Sequence, residues 1–212
     1  MRTRTALVLA ILAVLIASAA AVVAVVAADD DRWSGDRGSM MFSGDGAGRG
    51  MGGMHGVQVT SEYAYLVEMV AHHEEAVMAA RELQRSERPA MRAFGESIVS
   101  SQTAQIDQME DWLVEWYPDR SGRTDYRPLM RDLGDLSGNE LDRAFLADMV
   151  WHHMAAVMMS QQLLARGIAD HSQVDALATT IRDDQHAEIF QMQEWLDEWF
   201  GSSASMHAWS RR

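Results

Sequence analysis

The 212-residue chain contains no cysteine. Disulfides, iron–sulfur clusters, zinc-thiolate sites and cysteine nucleophiles are therefore excluded together. Lysine is also absent, and all 18 basic residues are arginine. That removes Schiff-base chemistry and a phosphate-binding P-loop. The chain has only three prolines, and β-branched runs are scarce beyond the N-terminus, which favours helix over sheet. Positive charge is in deficit: 31 acidic residues give a net charge of −13, so the surface repels phosphate backbones and nucleic acid is not expected as a partner. Against these absences stand 16 methionines and 8 histidines, whose placement is informative.

Arg2 and Arg4 precede an uncharged run from Ala6 to Ala28, and Asp29, Asp30 and Asp31 follow it. As a helix, the run reaches about 35 Å, enough for a hydrocarbon core of about 30 Å. Residues 1–28 are therefore expected to be a signal or transmembrane anchor, with positive charge inside and the remaining chain extracytoplasmic. The length favours an uncleaved anchor, although Val26-Ala27-Ala28 also suits cleavage. Residues 29–59 carry nine of the fifteen glycines and read as a flexible Gly- and Met-rich linker. The Gly48-x-Gly50-x-x-Gly53 spacing there has no βαβ context and is not a dinucleotide loop.

From about residue 60 the sequence repeats. Met69-Val-Ala-His72-His73 and its neighbours through Met78 return as Met149-Val-Trp-His152-His153 through Met158, at an offset of 80. Ile98, Gln102, Ile106, Met109, Trp112, Leu113 and Trp116 return as Ile181, Gln185, Ile189, Met192, Trp195, Leu196 and Trp199, at an offset of 83. Two offsets describe a duplicated helical hairpin whose turn is three residues longer in the second copy. Helical periodicity and punctuation place helices near 60–85, 88–117, 138–166 and 170–200. Pro89 suits a first turn and Gly167 a C-terminus, while Ser137/Glu140 and Asp170/Gln173 have capping-box spacing. The expected fold is all-α: an antiparallel four-helix bundle over 60–200, with repeats 60–117 and 138–200 and a tail at 201–212. Trp112, Trp116, Trp195 and Trp199 are expected to close one end.

Each His-His pair follows a methionine by three and four residues, so the imidazoles flank that thioether on a helical wheel. Folding each hairpin about residues 87 and 168 brings Gln102 level with His73, Gln185 with His152 and Glu188 with Met149. Met109 and Met192 fall one or two turns away. Glu68 and Asp148 lie four residues before His72 and His152, where a carboxylate can accept an imidazole N–H. Glutamines could satisfy the imidazoles alone, but four imidazoles in mid-bundle are costly as mere packing. Metal ligation is therefore expected at His72, His73, His152 and His153, with Met69 and Met149 as partners. Glu68, Asp148, Gln102, Gln185, Glu188, Met109 and Met192 would surround them. Met51, Met54, His55, Met206 and His207 are candidate ligands outside the bundle, where thioethers have no core to fill. Thioether with imidazole favours Cu(I), although another transition metal also fits imidazole with carboxylate.

The duplicated Met-x-x-His-His-x-x-Ala-Val-x-Met, at 69–78 and 149–158, resembles that of the domain of unknown function 305 family. So does the Gln-x-x-x-Ile-x-x-Met-x-x-Trp-Leu-x-x-Trp that follows each copy, at 102–116 and 185–199. The resemblance covers about 60–200 and implies a ferritin-like bundle, a functional His-His motif and, in some members, extracytoplasmic copper binding and tolerance. It implies no enzymatic activity. A ferritin-like di-iron enzyme would need Glu-x-x-His on two helices. Here His72-x-x-Glu75 runs the other way, and its counterpart is Ala155. A non-metal interaction module is the remaining alternative.

Overall fold

In a computed structural model, residues 58–122 and 124–201 are described. The expected anchor, most of the linker and the candidate ligands Met51, Met54, His55, Met206 and His207 lie outside them. Among the described residues there are four helices and no strand, as expected for the all-α class. They are α1 (Glu62–Glu82, continued by a 3-10 turn Leu83–Arg85), α2 (Pro89–Trp116), α3 (Gly138–Arg166) and α4 (Ser172–Phe200). None of them is long and apolar enough to cross a membrane.

Local chemistry explains most boundaries. Ser61 caps α1, its hydroxyl accepting the Ala64 N–H at 3.2 Å. Pro89 occupies the first turn of α2, and Gly167 ends α3 with φ of 59°. Ser137 precedes α3 as expected, but without a side-chain capping bond. The start of α4 differs from the expected Asp170 cap: His171 stands at the N-cap. The reason is a distant carboxylate. Glu62, on α1, accepts the backbone N–H groups of Asp170 and His171 at 2.7 and 2.8 Å.

The two hairpins pack so that α1 runs antiparallel to α3. Glu62 meets His171, Tyr65 meets Ser160, His72 meets His152, and Arg88 meets Asp142. The sequence offsets turn this pattern into an internal pseudo-two-fold. Residue 72 touches its own equivalent, 152. Glu62 and Asp142 are equivalents at offset 80, and Arg88 and His171 at offset 83. The two inter-repeat side-chain contacts, His171–Glu62 and Arg88–Asp142, each 2.7 Å long, are thus copies of one contact. Tyr65 donates or accepts a 3.0 Å bond with Ser160, whereas their equivalents are Phe145 and Ala80. Polar is matched with polar on one side, and apolar with apolar on the other.

This symmetry corrects the expected tryptophan cluster. Trp112 stacks on Trp116 beside the N-terminal half of α1, and Trp195 stacks on Trp199 beside Phe94 and Arg88. The two pairs lie at opposite ends, because an antiparallel two-fold inverts one hairpin relative to the other.

Within the first hairpin the helices approach closely at Gly95. A Cβ built on Gly95 would lie 2.7 Å from the Ala80 carbonyl oxygen and 2.9 Å from Leu83 Cβ. Gly95→Ala is therefore expected to destabilise the bundle by about 1–3 kcal/mol, the usual cost of overpacking, read as a lower urea midpoint at unchanged slope.

Candidate metal-binding centre

Two apolar clusters fill the bundle. One holds Met69, Met109, Ala156 and Leu163; the other holds Ala76, Met149, Met192 and Leu196. The four imidazoles are inserted in sequence between these clusters and form a polar layer at mid-bundle. His73, His152 and His153 are wholly buried and His72 nearly so. At the centre, the His72 and His152 rings face each other at 3.7 Å between centroids, tilted by 36°. Within each pair the rings are 6.2 Å apart at 52°, identical in the two repeats. The expected methionines Met69 and Met149 are fully buried, one in each flanking cluster. Each shares its cluster with the methionine of the paired helix, Met109 or Met192.

The outer imidazoles have partners. His73 Nε2 is 2.8 Å from Gln105 Oε1, and His153 Nε2 is 2.6 Å from Glu188 Oε2. Gln105 and Glu188 are equivalents at offset 83. The expected partner of His73, Gln102, is thus replaced by the residue one turn further on. Glu188 stands against His153 rather than level with Met149. The connections Ser86–Arg88 and Ile168–His171 are not helical, and the 3-10 turn rises about 2.0 Å per residue against 1.5 Å for an α-helix. More residues of the returning helix are therefore needed to reach the same level. Gln102 and Gln185 are buried in the same region, with their side-chain oxygens lacking a hydrogen-bond partner in the protein.

Glu68 and Asp148 do not take the expected role of fixing imidazole tautomers. Glu68 accepts the Thr124 hydroxyl at 2.6 Å, and Asp148 pairs with Arg131 at 2.7 Å through both carboxylate oxygens. Neither nitrogen of His72, nor Nδ1 of His152, has a hydrogen-bond partner in the protein. The segment between the repeats competes successfully for both carboxylates.

That segment also explains a residue the sequence reading left out. Glu75 is buried and accepts the Tyr126 hydroxyl and the backbone N–H groups of Leu129 and Met130, both at 2.8 Å. Its carboxylate approaches His152 Nε2 to 3.3 Å, and Tyr126 meets His72 edge-on at 6.1 Å. Burial alone would raise the Glu75 pKa. His152, Tyr126 and the two backbone donors outweigh it and hold the group below its ordinary value. The available signal was the mismatch of Glu75 with Ala155 inside an otherwise duplicated motif.

Burial disfavours the charged form of His72, His73 and His152. It drives His72 well below its ordinary pKa, assisted by the neighbouring rings of His152, His73 and His153. It lowers His73 to about 3 against the opposing bond from Gln105, and it lowers His152 despite Glu75. Neutral imidazole is the metal-ligating form. Both nitrogens of His72 and the Nδ1 atoms of His73, His152 and His153 are buried without a hydrogen-bond partner in the protein, and His152 Nε2 meets only the Glu75 carboxylate at 3.3 Å. Each neutral ring offers one lone pair, and such a concentration of them, with thioethers in both flanking clusters, suits a soft cation. Among the described residues, however, no three His, Asp or Glu side chains already converge closely enough to hold a metal ion. A bound ion would require rings to turn or thioethers to participate.

A duplicated helical hairpin with a buried His-His layer on its internal two-fold defines the class of protein. The sequence profile described as domain of unknown function (DUF305) matches residues 62–129, 122–196 and 142–211, and the chain belongs to this family. Among solved structures, CopM in its Cu(I)-bound form is 28% identical with a TM-score of 0.60, covering 66% of this chain and 99% of its own. The Cu(II)-bound form of CopM is 27% identical with a TM-score of 0.58, covering 66% and 98%. A DUF305 fragment from Deinococcus radiodurans is 27% identical with a TM-score of 0.58, also covering 66% and 98%. No curated protein matches the chain.

Proposed function

We propose that this protein binds copper, as Cu(I) with Ag(I) as a close substitute, to buffer it or pass it on outside the cytoplasm. The observation that carries the reading is the layer of four buried imidazoles, on His72, His73, His152 and His153, each with at least one ring nitrogen that has no hydrogen-bond partner in the protein. Leaving a buried polar group unpaired costs roughly 1–3 kcal/mol, so a purely structural polar layer is an expensive one. A bound cation supplies the missing partner. Met69 and Met149 contribute thioethers, which remain unprotonated at any pH. Support comes from CopM, a relative of similar fold with Cu(I)-bound, Cu(II)-bound and Ag-bound forms. The N-terminal apolar run supports a site held at the outer membrane face. Met51, Met54 and His55 in the linker, and Met206 and His207 in the tail, gather ions toward the bundle.

Anaerobic titration of the full chain with Cu(I) or Ag(I), followed by dialysis and metal analysis, tests the proposal. Retained metal and a raised melting temperature are expected, with stabilisation approaching about 2.7 kcal/mol at a free metal concentration one hundred times Kd. The variant with all four histidines changed to alanine should lose the metal held by the bundle. Equal melting of apo and treated protein, with no copper retained, overturns the reading.

A further inference from the structure

A solvent-accessible groove of about 270 Å³ lies between the C-terminal half of α1 and the segment that links the repeats. Met78 and Met130 line it together with Glu75, Glu82, Arg131 and Asp132. Two features set this groove apart. Met78 is 61% exposed, so its thioether is not spent on packing. Glu75 lines the groove and also stands 3.3 Å from His152 Nε2, whose ring lies against His72. The groove wall and the buried imidazole layer therefore share one carboxylate.

The charges in the groove are compatible with a cation. The Arg131 guanidinium is turned onto Asp148, making two 2.7 Å bonds there. Glu82 pairs with Arg85, and Asp132 accepts the Gly134 N–H. Glu75 brings negative charge that only neutral donors and a neutral imidazole balance. Thioether beside carboxylate is a donor set for a soft cation in transit: sulfur discriminates, and oxygen binds weakly enough to release.

Resting on the copper reading above, we infer that this groove is the port by which a soft monovalent cation reaches the buried imidazoles. Met78 and Met130 capture the ion at the mouth, and Glu75 bridges it to His152. The second repeat lacks the shared carboxylate: its counterpart of Glu75 is Ala155, and Met158, the counterpart of Met78, is exposed but does not line this groove. The internal symmetry is thus broken at the groove.

The test is stopped-flow loading of the full chain with Ag(I), followed by tryptophan fluorescence, on the parent, Met78→Leu/Met130→Leu and Met158→Leu. Leucine keeps the volume and removes the sulfur, and melting of each apo variant checks the fold. The port variant should load at least tenfold more slowly, while retaining the same amount of bundle-held Ag(I) at saturation. Met158→Leu should load at the parental rate. Parental loading by the port variant, or equal slowing by Met158→Leu, overturns the inference. Failure of the parent to bind Ag(I) at all is a different result and sinks the copper reading itself.

Discussion

Replacing both central imidazoles, as His72→Leu/His152→Leu, is expected to raise the melting temperature of the metal-free protein. The two rings are buried against each other at a 36° tilt; three of their four nitrogens have no hydrogen-bond partner in the protein, and the fourth, His152 Nε2, has only the Glu75 carboxylate at 3.3 Å. Each orphan costs roughly 1–3 kcal/mol, whereas leucine has comparable bulk and no group to desolvate. Two apolar clusters already flank the position, so the new side chains would join a continuous core. Part of the gain is lost because leucine cannot reproduce the close ring contact and because Glu75 loses its contact with His152. A net stabilisation of about 2–4 kcal/mol corresponds to roughly 6–12 °C for a domain of this size. The same variant should show a much smaller rise on adding Cu(I). Parallel melting curves with and without metal measure both effects. This trade of stability for a ligand site separates a functional polar layer from a structural one. A structural layer would make the leucine variant melt lower.

Glu62→Gln should have the opposite effect, lowering stability by about 3 kcal/mol at neutral pH. Glu62 is fully buried, and four donors converge on its two oxygens. Tyr117 Oη, at 2.9 Å, and His171 Nδ1, at 2.7 Å, address Oε1, while the Asp170 and His171 backbone N–H groups address Oε2. A glutamine presents one oxygen and one NH2, so one pair of donors would face another donor. The N-terminus of α4, the Tyr117 end of α2 and the stack of His171 on Trp116 all depend on that carboxylate. The effect should also depend on pH. Burial works to raise the Glu62 pKa, but the bonds from His171, Tyr117 and the Asp170 backbone prevail and hold it below its ordinary value. Its contribution is therefore complete above the unfolded value of about 4.3 and disappears as pH falls through the lower folded value. Urea unfolding of parent and variant between pH 3 and pH 7 should give a gap that is widest near neutrality and narrows in acid. A gap that stays constant over this range would refute the assignment of the effect to the ionised carboxyl.

The helices and their hairpin pairing were legible because each signal is local. Periodicity, Pro89 and Gly167 act within a turn or two, and the repeat offsets of 80 and 83 require no tertiary knowledge. The four histidines were legible for the same reason. What the sequence concealed was long-range. The register of α2 against α1 depended on the rise of a short non-helical turn, which moved the partner of His73 from Gln102 to Gln105. The placement of the tryptophans depended on the relative direction of the two hairpins, which no periodicity encodes. The roles of Glu68, Asp148 and Glu75 depended on the segment from 124 to 131, whose polar residues read as an undifferentiated connection yet bond all three carboxylates. Glu62 was hidden likewise, since an acid in the first turn of a helix ordinarily signals only a favourable end charge.

The meeting of residue 72 with residue 152 has a consequence for assembly. Each hairpin bears one acceptor and one donor of the terminal side-chain contacts, so either hairpin presents a self-complementary face of the kind found in isologous dimers. The covalent link between the hairpins converts what would be a concentration-dependent encounter into a unimolecular one, with an effective concentration of about millimolar or more. The protein would thereby keep its two halves together at any expression level.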